Sequence, residues 1–521
     1  MNSDSKERRK MVSIVKSMSL EGLQGYLIDV QTDVTSGIPN FDIVGLPDAS
    51  VKEAKERIKS AIKNTNYEFL SRKVLINLAP ADKRKEGTIL DLPMAIGVLV
   101  SVGEIKNSNI FRDTIILGEL SLNGKVNRVN GILPMCIEAK RLGIKRVIIP
   151  MKNVSEAKII EGLDVIPVES LKDAIDFLNN GIIPNINIEE QNNQQNEIIN
   201  NIDFSDVKGQ ENVKRALEIS ASGAHNCLLI GSPGTGKTML AQRLATILPD
   251  LTFDEALEIT KIHSIAGKIK EGESIVTKRP FRNPHYTSSP ISIIGGGKNP
   301  KPGEITLAHL GILFLDELTE FKRSTLETLR APIEDRIVTI SRVSQKLTYP
   351  CNFMLIASMN PCPCGYYGSN KKQCICSEQN INKYIGKISG PMLDRIDIHI
   401  EVNPVEYDKL NSRDYGESSE SIRKRVNEAR KIQVERYKGE GIYSNSELNN
   451  RLIEKYCQVD IDGKKLLKSA FENLNLSARA FNKVLKIART IADLDNSENI
   501  KSSHIAEAIQ YRALDRKYWS N

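Results

Sequence analysis

The amino-acid sequence predicts an α/β fold that continues into an all-α C-terminal region. Short apolar runs rich in β-branched residues, such as KVLINLAP (73–80) and CLLI (227–230), recur between stretches with helical spacing, such as 50–64. Runs of this length and composition are typical of buried strands. From residue 406 the chain is strongly charged and again shows helical spacing.

The N-terminal part of the chain alternates between the two patterns. KRVIIP (145–150) is a further strand-like run, and ILPMCIEAKRLG (132–143) has helical spacing and ends at Gly143. LSLNGKVN (120–127) places Asn-Gly between alternating residues, which is a strong signal for a β-hairpin. We therefore predict an α/β domain over residues 11–180, after a flexible tail at residues 1–10.

A linker and two further regions complete the predicted organisation. Residues 181–204 are rich in Asn and Gln and show no helical stripe, so we interpret them as a linker. Residues 205–405 form a second α/β region, a core that we expect to contain a parallel sheet. In the C-terminal region, 406–521, the segments with helical spacing are 421–437, 476–494 and 503–514. They predict an all-α domain.

Composition and charge narrow the class of protein. Of the 521 residues 40% are hydrophobic and 26% are charged, as in folded soluble proteins. There is no run of about 18 apolar residues, and Lys16 interrupts the short apolar stretch near the N-terminus. We therefore expect a cytoplasmic protein with neither a membrane span nor a secretory signal. The net charge of +7 is compatible with a polyanionic partner.

One glycine-rich segment has the full pattern of a phosphate-binding loop. It lies between the strand-like CLLI and the helix-like MLAQRLATIL (239–248), and it consists of Gly231, Ser232, Pro233, Gly234, Thr235, Gly236, Lys237 and Thr238. In the pattern G-x-x-x-x-G-K-[ST], backbone N–H groups surround the phosphates, the lysine reaches the β- and γ-phosphates, and the hydroxyl holds Mg²⁺. The segment predicts binding of ATP with Mg²⁺.

Acidic and amide side chains follow two further apolar runs. HLGILFLDEL (309–318) ends with Asp316 and Glu317 near its C-terminus, and FMLIAS (353–358) leads to Asn360. The carboxyl ends of parallel strands face the ligand crevice. We therefore expect Asp316 to coordinate Mg²⁺, Glu317 to activate the attacking water, and Asn360 to help place that water near the γ-phosphate.

Four of the eight cysteines cluster in the sequence. Cys362, Cys364, Cys374 and Cys376 form the pattern C-x-C-x9-C-x-C. Four thiols at this spacing are compatible with a tetrahedral structural zinc site, which we favour. Free thiols are the main alternative, followed by an iron–sulfur cluster or a disulfide. A reducing compartment argues against disulfides.

Longer segments resemble one protein family. RPFRNPHYTSS (279–289), GGGKNPKPGEITLAHLGILFLDEL (295–318), LRAPIEDRIVTISR (329–342) and SGPMLDRIDI (389–398) resemble the YifB/ComM family of magnesium-chelatase-like AAA+ ATPases. The resemblance covers nearly the whole chain and implies an AAA+ core, a helical lid and a homo-oligomeric ring, expected to be a hexamer. It also implies a DNA helicase that promotes branch migration during natural transformation. ATP-driven remodelling of a protein complex is the alternative.

The same resemblance implies roles for two arginines. Arg395 would be the arginine finger that reaches the ATP of a neighbouring subunit, and Arg479 would be the sensor arginine of the lid. Both would act on the charge that develops during phosphoryl transfer.

Two segments are candidates for DNA contact. Related motors use a hairpin just before the sensor strand, which corresponds here to IVTISRVSQKLTYP (337–350), and a glycine-rich loop, 293–304, precedes it. The candidate side chains are Lys298 and Lys301 in the loop, and Arg342 and Lys346 in the hairpin. Basic side chains there would bind phosphates without reading the DNA sequence.

The N-terminal domain resembles the proteolytic domain of Lon. The segment Lys85-Glu86-Gly87-Thr88-Ile89-Leu90-Asp91 matches the K-D-G-P-S-A-G stretch that carries the serine of Lon. Ile89 stands at the position of the nucleophile, and the partner lysine corresponds to Leu133. Isoleucine offers no hydroxyl and leucine no base, so we expect a Lon-like fold without protease activity.

Overall fold

The chain divides into two compact units in the computed structural model. The model describes residues 12–67, 72–183, 202–297, 300–341, 346–368, 372–411, 416–473 and 477–519. The first unit comprises Met1–Gln194 and Ala256–Val276, and the second comprises Gln195–Glu255 and Thr277–Asn521. The segment Ala256–Val276 lies inside the range predicted for the core, 205–405, yet it packs with the first unit. None of the described helices is long and apolar enough to cross a membrane.

The first unit is built around a mixed seven-stranded sheet. The unit contains these seven strands and a separate pair, β6 and β7. In chain order the strands are β1 Ser13–Glu21, β2 Gln24–Thr35, β3 Asn40–Val44, β4 Lys73–Ala79, β5 Thr114–Ile116, β6 Glu119–Leu120, β7 Val126–Asn127, β8 Arg146–Pro150 and β9 Asp164–Val168. Its helices are α1 Ala49–Asn64, α2 Asp91–Val102, α3 Ile132–Arg141, α4 Val154–Ala157 and α5 Leu171–Asn180.

The strand order in this sheet is β3-β4-β2-β1-β5-β8-β9. Strand β2 runs antiparallel to β1 and to β4, and the other neighbours are parallel. Outside this sheet, β6 and β7 pair as the predicted hairpin, with Gly124 at a φ of 82° in the turn.

Helices cover both faces of the seven-stranded sheet. Because successive side chains of a strand point to opposite faces, Ile148 of β8 joins the core beneath α1, α2 and α5, whereas Val147 and Ile149 join the core beneath α3. The alternation explains why KRVIIP is apolar throughout, since both faces of the strand are buried.

The second unit combines a parallel sheet with a helical C-terminal region. Its strands are β10 Cys227–Ile230, β11 Phe281–Arg282, β12 Gly295–Gly296, β13 Lys301–Pro302, β14 Ile312–Leu315, β15 Ile337–Ser341, β16 Lys346–Pro350, β17 Met354–Met359 and β18 Ile398–Glu401. The helices of this unit up to residue 411 are α6 Glu211–Gly223, α7 Lys237–Leu244, α9 Pro290–Ile294, α10 Glu304–Leu307, α11 Arg323–Thr328, α12 Arg330–Asp335, α13 Glu378–Ile385, α14 Gly390–Leu393 and α15 Tyr407–Asn411. Helix α8, Phe253–Ile265, lies mostly in the segment Ala256–Val276 and therefore belongs to the first unit. The helices of the C-terminal region are α16 Ser419–Arg436, α17 Asn450–Tyr456, α18 Ile461–Asn473, α19 Ala478–Leu494, α20 Ser502–Gln510 and α21 Leu514–Trp519.

Five parallel strands form the central sheet of the second unit, in the order β11-β14-β17-β10-β18. Every residue of β10, β14 and β17 is buried. This is the expected consequence of a parallel sheet with helices on both faces. The carboxyl ends of these three adjacent strands therefore meet at one edge, and the predicted site residues follow directly from them.

Candidate active site

The glycine-rich loop forms a tight turn between β10 and α7. Gly234 and Gly236 have φ values of 78° and 85°, which favour glycine over residues with a side chain. A Cβ atom on Gly231 would lie 2.4 Å from the carbonyl oxygen of Val402, so no side chain fits there. The loop also bonds to β17, the neighbour of β10 in the sheet, because the N–H of Gly231 donates to the carbonyl of Met359 at 3.2 Å.

Lys237 lies in the first turn of α7, half-buried beneath the loop. Its ammonium donates to the carbonyl oxygens of Gly231 and Ser232, at 2.7 and 3.0 Å, and to Oδ1 of Asn360 at 3.1 Å. The lysine and Asn360 come from different strand ends, and the contact brings together two residues that were predicted separately. Burial lowers the pKa of Lys237, while the charges of Asp316 and Glu317 act in the opposite direction.

Asp316 stands at the centre of a second set of contacts at the end of β14. The hydroxyl of Thr238 donates to its Oδ2 at 2.7 Å, and the hydroxyl of Ser358 donates to its Oδ1. The N–H of Glu317 donates to Oδ1 of Asp316 at 3.1 Å and to Oγ of Ser358 at 3.3 Å. The aspartate is thus oriented by the first turn of α7 and by the neighbouring strand β17.

The carboxylate of Glu317 is exposed and lines a cavity of about 530 Å³. Asn360, Tyr384 and Cys376 line the same cavity. The backbone of Glu317 is left-handed, with a φ of 54°, and a short helical turn begins after it. The cavity therefore places an acidic group and an amide, the two predicted water-positioning groups, on one wall.

These residues fit a nucleoside triphosphate with its metal ion. The glycine-rich loop leads into the N-terminus of α7, where backbone N–H groups favour anions. The hydroxyl of Thr238 and the carboxylate of Asp316 are adjacent oxygen donors, the type of ligand that Mg²⁺ prefers. An ammonium and two oxygen ligands converge on the same end of the loop.

The two arginines predicted for the reaction lie next to one another in the second unit. Arg395 donates to the carbonyl oxygens of Arg330 and Pro391 at 2.9 and 2.6 Å, and its guanidinium lies 2.8 Å from a carboxylate oxygen of Glu334. Arg479 pairs with Asp394, the residue before Arg395, at 3.4 Å. Among the hydrogen bonds and ion pairs of the described residues, neither arginine joins the contacts of Lys237.

The predicted DNA-binding segments are close together as well. Strands β15 and β16 pair antiparallel, from Ile337 opposite Pro350 to Ser341 opposite Lys346, as the alternating pattern predicted. The hydroxyl of Tyr349 in β16 donates to the carbonyl of Pro300 at 3.3 Å, which joins the hairpin to the candidate DNA-binding loop, 293–304. Lys301 and Lys346 are exposed, and Lys298 and Arg342 lie outside the described residues.

The four clustered cysteines meet in the segment after β17. Their sulfur atoms all lie within 4.8 Å of one another, and all four residues are free of disulfides. The separations are 3.4 Å between Cys362 and Cys364, 3.7 Å between Cys362 and Cys374, and 3.6 Å between Cys364 and Cys374.

In the first unit, the positions that correspond to the Lon nucleophile and base are apolar and inside the fold. Ile89 packs against both cores, and Leu133 is fully buried. The adjacent hydroxyl, on Thr88, bonds to the carboxylate of Glu119, and the buried ammonium of Lys85 bonds to backbone carbonyls. Among the described contacts of this segment, the hydroxyl and the amine do not meet.

Two polar residues at the nucleotide site were not anticipated from the sequence. Ser358 holds Asp316 and the backbone of Glu317, and its only signal is a small polar residue in the otherwise apolar run FMLIAS. Gln210 donates through its side chain to the carbonyl oxygens of Thr235 and Asn403, at 3.1 and 3.0 Å. It lies 21 residues before the loop in the sequence, and nothing in its local pattern marks it.

Comparisons with known proteins agree with this arrangement. The model of magnesium chelatase, subunit ChlI, matches residues 203–410, a second ChlI model matches 30–153, and the model of the ChlI C-terminal region matches 416–512. The chain is 39% identical to competence protein ComM of Haemophilus influenzae over 516 residues, which are 97% of this chain and 98% of that protein.

Two further relatives support the same assignment. YifB of Salmonella typhimurium is 41% identical over 514 residues, 97% of this chain and 98% of that protein. Lon protease of Mycolicibacterium smegmatis is 25% identical over 183 residues, 33% of this chain and 23% of that protein. With a Lon-like α/β region, a parallel-sheet AAA+ core and a helical C-terminal region, the chain belongs to the magnesium-chelatase-like AAA+ ATPase family that contains ComM and YifB.

Proposed function

We propose that this protein is an ATP-hydrolysing motor that assembles as a homo-hexameric ring and moves along DNA without reading its sequence. The observation that carries the proposal is the meeting of three strand ends, which joins Lys237 to Asn360 and Thr238 to Asp316. The family supports ATP and Mg²⁺ as the ligands. We place the protein in the cytoplasm, where ATP is supplied and where its cysteines stay reduced.

In this proposal each residue of the site has a distinct task. The ammonium of Lys237 binds the β- and γ-phosphates, and Thr238 and Asp316 hold Mg²⁺, which neutralises charge on the phosphates. The exposed carboxylate of Glu317 accepts a proton from the attacking water, and Asn360 orients that water from the same cavity wall. Backbone N–H groups of the glycine-rich loop and of the first turn of α7 bind the phosphate oxygens.

The neighbouring arginines support the ring. Arg395 and Arg479 are linked through the adjacent Asp394 and are held by acidic groups rather than by the ATP site of their own chain. We assign both to the phosphates of an adjacent subunit, where their charge would complete the site during hydrolysis. Hydrolysis would then require assembly.

Contact between the hairpin β15–β16 and the loop that contains Lys301 supports DNA as the track. Tyr349 joins the two segments through Pro300, and each segment carries an exposed lysine, Lys301 and Lys346. One relative is named a competence protein, and we extend that connection to this chain as DNA processing during natural transformation or recombination. The binding would be electrostatic, with affinity that falls steeply as salt rises.

The test is ATP turnover with no DNA and with single-stranded, duplex and branched DNA, beside a Lys237→Ala variant that lacks the phosphate-binding charge. We expect DNA to stimulate the parent. Arg342→Ala combined with Lys346→Ala should remove the stimulation and weaken DNA binding, while the basal rate persists. Lys465→Ala with Lys468→Ala removes two exposed lysines from α18 and serves as the matched control.

A second function is favoured by the match to magnesium chelatase models, namely remodelling of a protein complex. It predicts ATP turnover that DNA does not change. A protease function is disfavoured by Ile89 and Leu133. The DNA proposal would be overturned if the parent hydrolysed ATP at the same rate without DNA and with each of the three DNA forms. If Lys237→Ala abolished that turnover, the protein would still be an ATPase.

A further inference from the structure

The four cysteines have the geometry of a site for a single metal ion. Zinc–sulfur bonds of about 2.3 Å, arranged as a tetrahedron, place the sulfur atoms about 3.8 Å apart. The three separations of 3.4, 3.6 and 3.7 Å are close to this edge length. In a 4Fe–4S cluster each cysteine binds a different iron, and in a 2Fe–2S cluster the cysteines bind two irons in pairs, so sulfurs on different irons would lie farther apart.

Backbone donors face these sulfur atoms. The N–H of Tyr367 donates to Sγ of Cys362 at 3.3 Å, and the backbones of Tyr366 and Ile375 bond to the sulfur of Cys364. Such donors stabilise the thiolate form, and they orient the ligands of a metal site. Four thiolates around one ion make zinc the fitting metal, because zinc favours tetrahedral sulfur sites.

The cysteine loop is also packed onto the nucleotide site. Gly365 lies so close to the phosphate-binding loop that a Cβ atom on it would be 2.4 Å from Cδ of Pro233. Cys362 lies two residues after Asn360, and Cys376 lines the same cavity as Asn360 and Glu317. The cysteine loop thus approaches the phosphate-binding loop through Gly365 and lines the cavity through Cys376.

We propose that one zinc ion, bound by Cys362, Cys364, Cys374 and Cys376, holds Asn360 in the geometry that ATP hydrolysis requires. The proposal rests on ATP hydrolysis as the function of the site. Without zinc, the loop from Cys362 to Cys376 loses the bonds that close it. Among the described residues, Asn360 is then held by its place after β17 and by its contact with Lys237. The zinc acts by positioning Asn360.

Metal content is the first measurement. The full-length protein, purified without chelators, should contain one zinc per chain by elemental analysis. Growth with Co²⁺ should give the absorption spectrum of tetrahedral cobalt bound by four thiolates. A Cys374→Ser, Cys376→Ser variant should lose both signals, whereas Cys136→Ala, which removes a buried cysteine from the first unit, should keep them. Protein without metal would overturn the proposal.

The second measurement separates positioning from nucleotide binding. The variant Cys374→Ser, Cys376→Ser should bind a fluorescent ATP analogue as the parent does, because Lys237 and Thr238 are unchanged. Its kcat should fall about 100-fold, the effect of a misplacement of about 1 Å in an active site. Removal of zinc from the parent with a chelator should give the same loss, and added zinc should restore the rate, which covers the case of a variant that fails to fold.

A double-variant cycle tests whether the metal acts through Asn360. If it does, adding the two cysteine changes to Asn360→Ala should lower kcat no further than Asn360→Ala alone. Full additivity, or a zinc-free parent that hydrolyses ATP at its normal rate, would overturn the positioning role. Failure of the parent itself to hydrolyse ATP would instead refute the proposed function, and the cobalt spectrum would still decide the metal site.

Discussion

Ser358 offers a sharp test of how the acidic residues are positioned. It is almost fully buried at the end of β17, where its hydroxyl donates to Asp316 and accepts the N–H of Glu317 at 3.3 Å. Ser358→Ala removes both bonds and adds no bulk. Asp316, the proposed metal ligand, keeps its bonds from the hydroxyl of Thr238 and from the N–H of Glu317, and loses the bond from Ser358.

The size of the effect follows from the charge of the acceptor. A hydrogen bond to a charged group contributes about 1.5–3 kcal/mol, and about 1.4 kcal/mol changes a rate tenfold. We therefore expect Ser358→Ala to lower kcat about 10- to 100-fold. The KM for ATP should change little, because Lys237 and the glycine loop are untouched.

Steady-state ATP turnover, with kcat and KM separated, is the assay. Ser222→Ala is the matched control, since Ser222 is equally buried in α6 and donates only to the backbone carbonyl of Glu218. It removes a hydroxyl and leaves the site unchanged. A Ser358→Ala enzyme with the kcat of the parent, or one whose KM rises while kcat stays, would show that Ser358 does not position Asp316.

Further predictions concern chemistry, assembly and stability. Glu317→Gln should bind ATP and hydrolyse it very slowly, which single-turnover measurements can show; parental turnover would exclude Glu317 as the base. Arg395→Ala should bind ATP without hydrolysing it, and mixing it with Glu317→Gln subunits should restore part of the activity; a fully active monomer would contradict this. Lys483→Met should lower the free energy of unfolding by about 3–5 kcal/mol in urea, because it leaves the buried carboxylate of Asp397 without the ammonium 3.3 Å away. Lys465→Met, which breaks an exposed pair, should cost less than about 1 kcal/mol, and equal losses would refute the burial argument.

Much of the nucleotide site was predictable because it lies at the ends of buried strands. The apolar runs CLLI and FMLIAS correspond to strands β10 and β17, with boundaries that differ by at most one residue. Helix α7 begins at Lys237, directly after the glycine-rich loop. A strand that is buried on both faces must be apolar throughout, so its end is marked by the first polar residues. Asp316 directly follows β14 and Asn360 directly follows β17, while Lys237 follows the loop after β10.

Contacts between distant segments were not predictable in the same way. The run HLGILFLDEL forms a strand only over Ile312–Leu315, because Leu310 adopts a left-handed backbone just before it. Periodicity also could not show that Ala256–Val276 packs with the first unit, where the carbonyl of Ser264 accepts from Gly131 at 3.1 Å. These features depend on packing partners far along the chain, which a local pattern does not encode.

Glu317 was predicted from its place after an apolar run, but its left-handed backbone conformation was not. A left-handed conformation disfavours a residue with a side chain by roughly 1–2 kcal/mol, and Glu317 adopts it at a φ of 54°. The conformation persists because its N–H is held by Asp316 and Ser358 and its carbonyl accepts from the N–H of Glu320 at 2.7 Å. In this conformation the carboxylate of Glu317 lines the cavity, while the carboxylate of Asp316 bonds to Thr238 and Ser358.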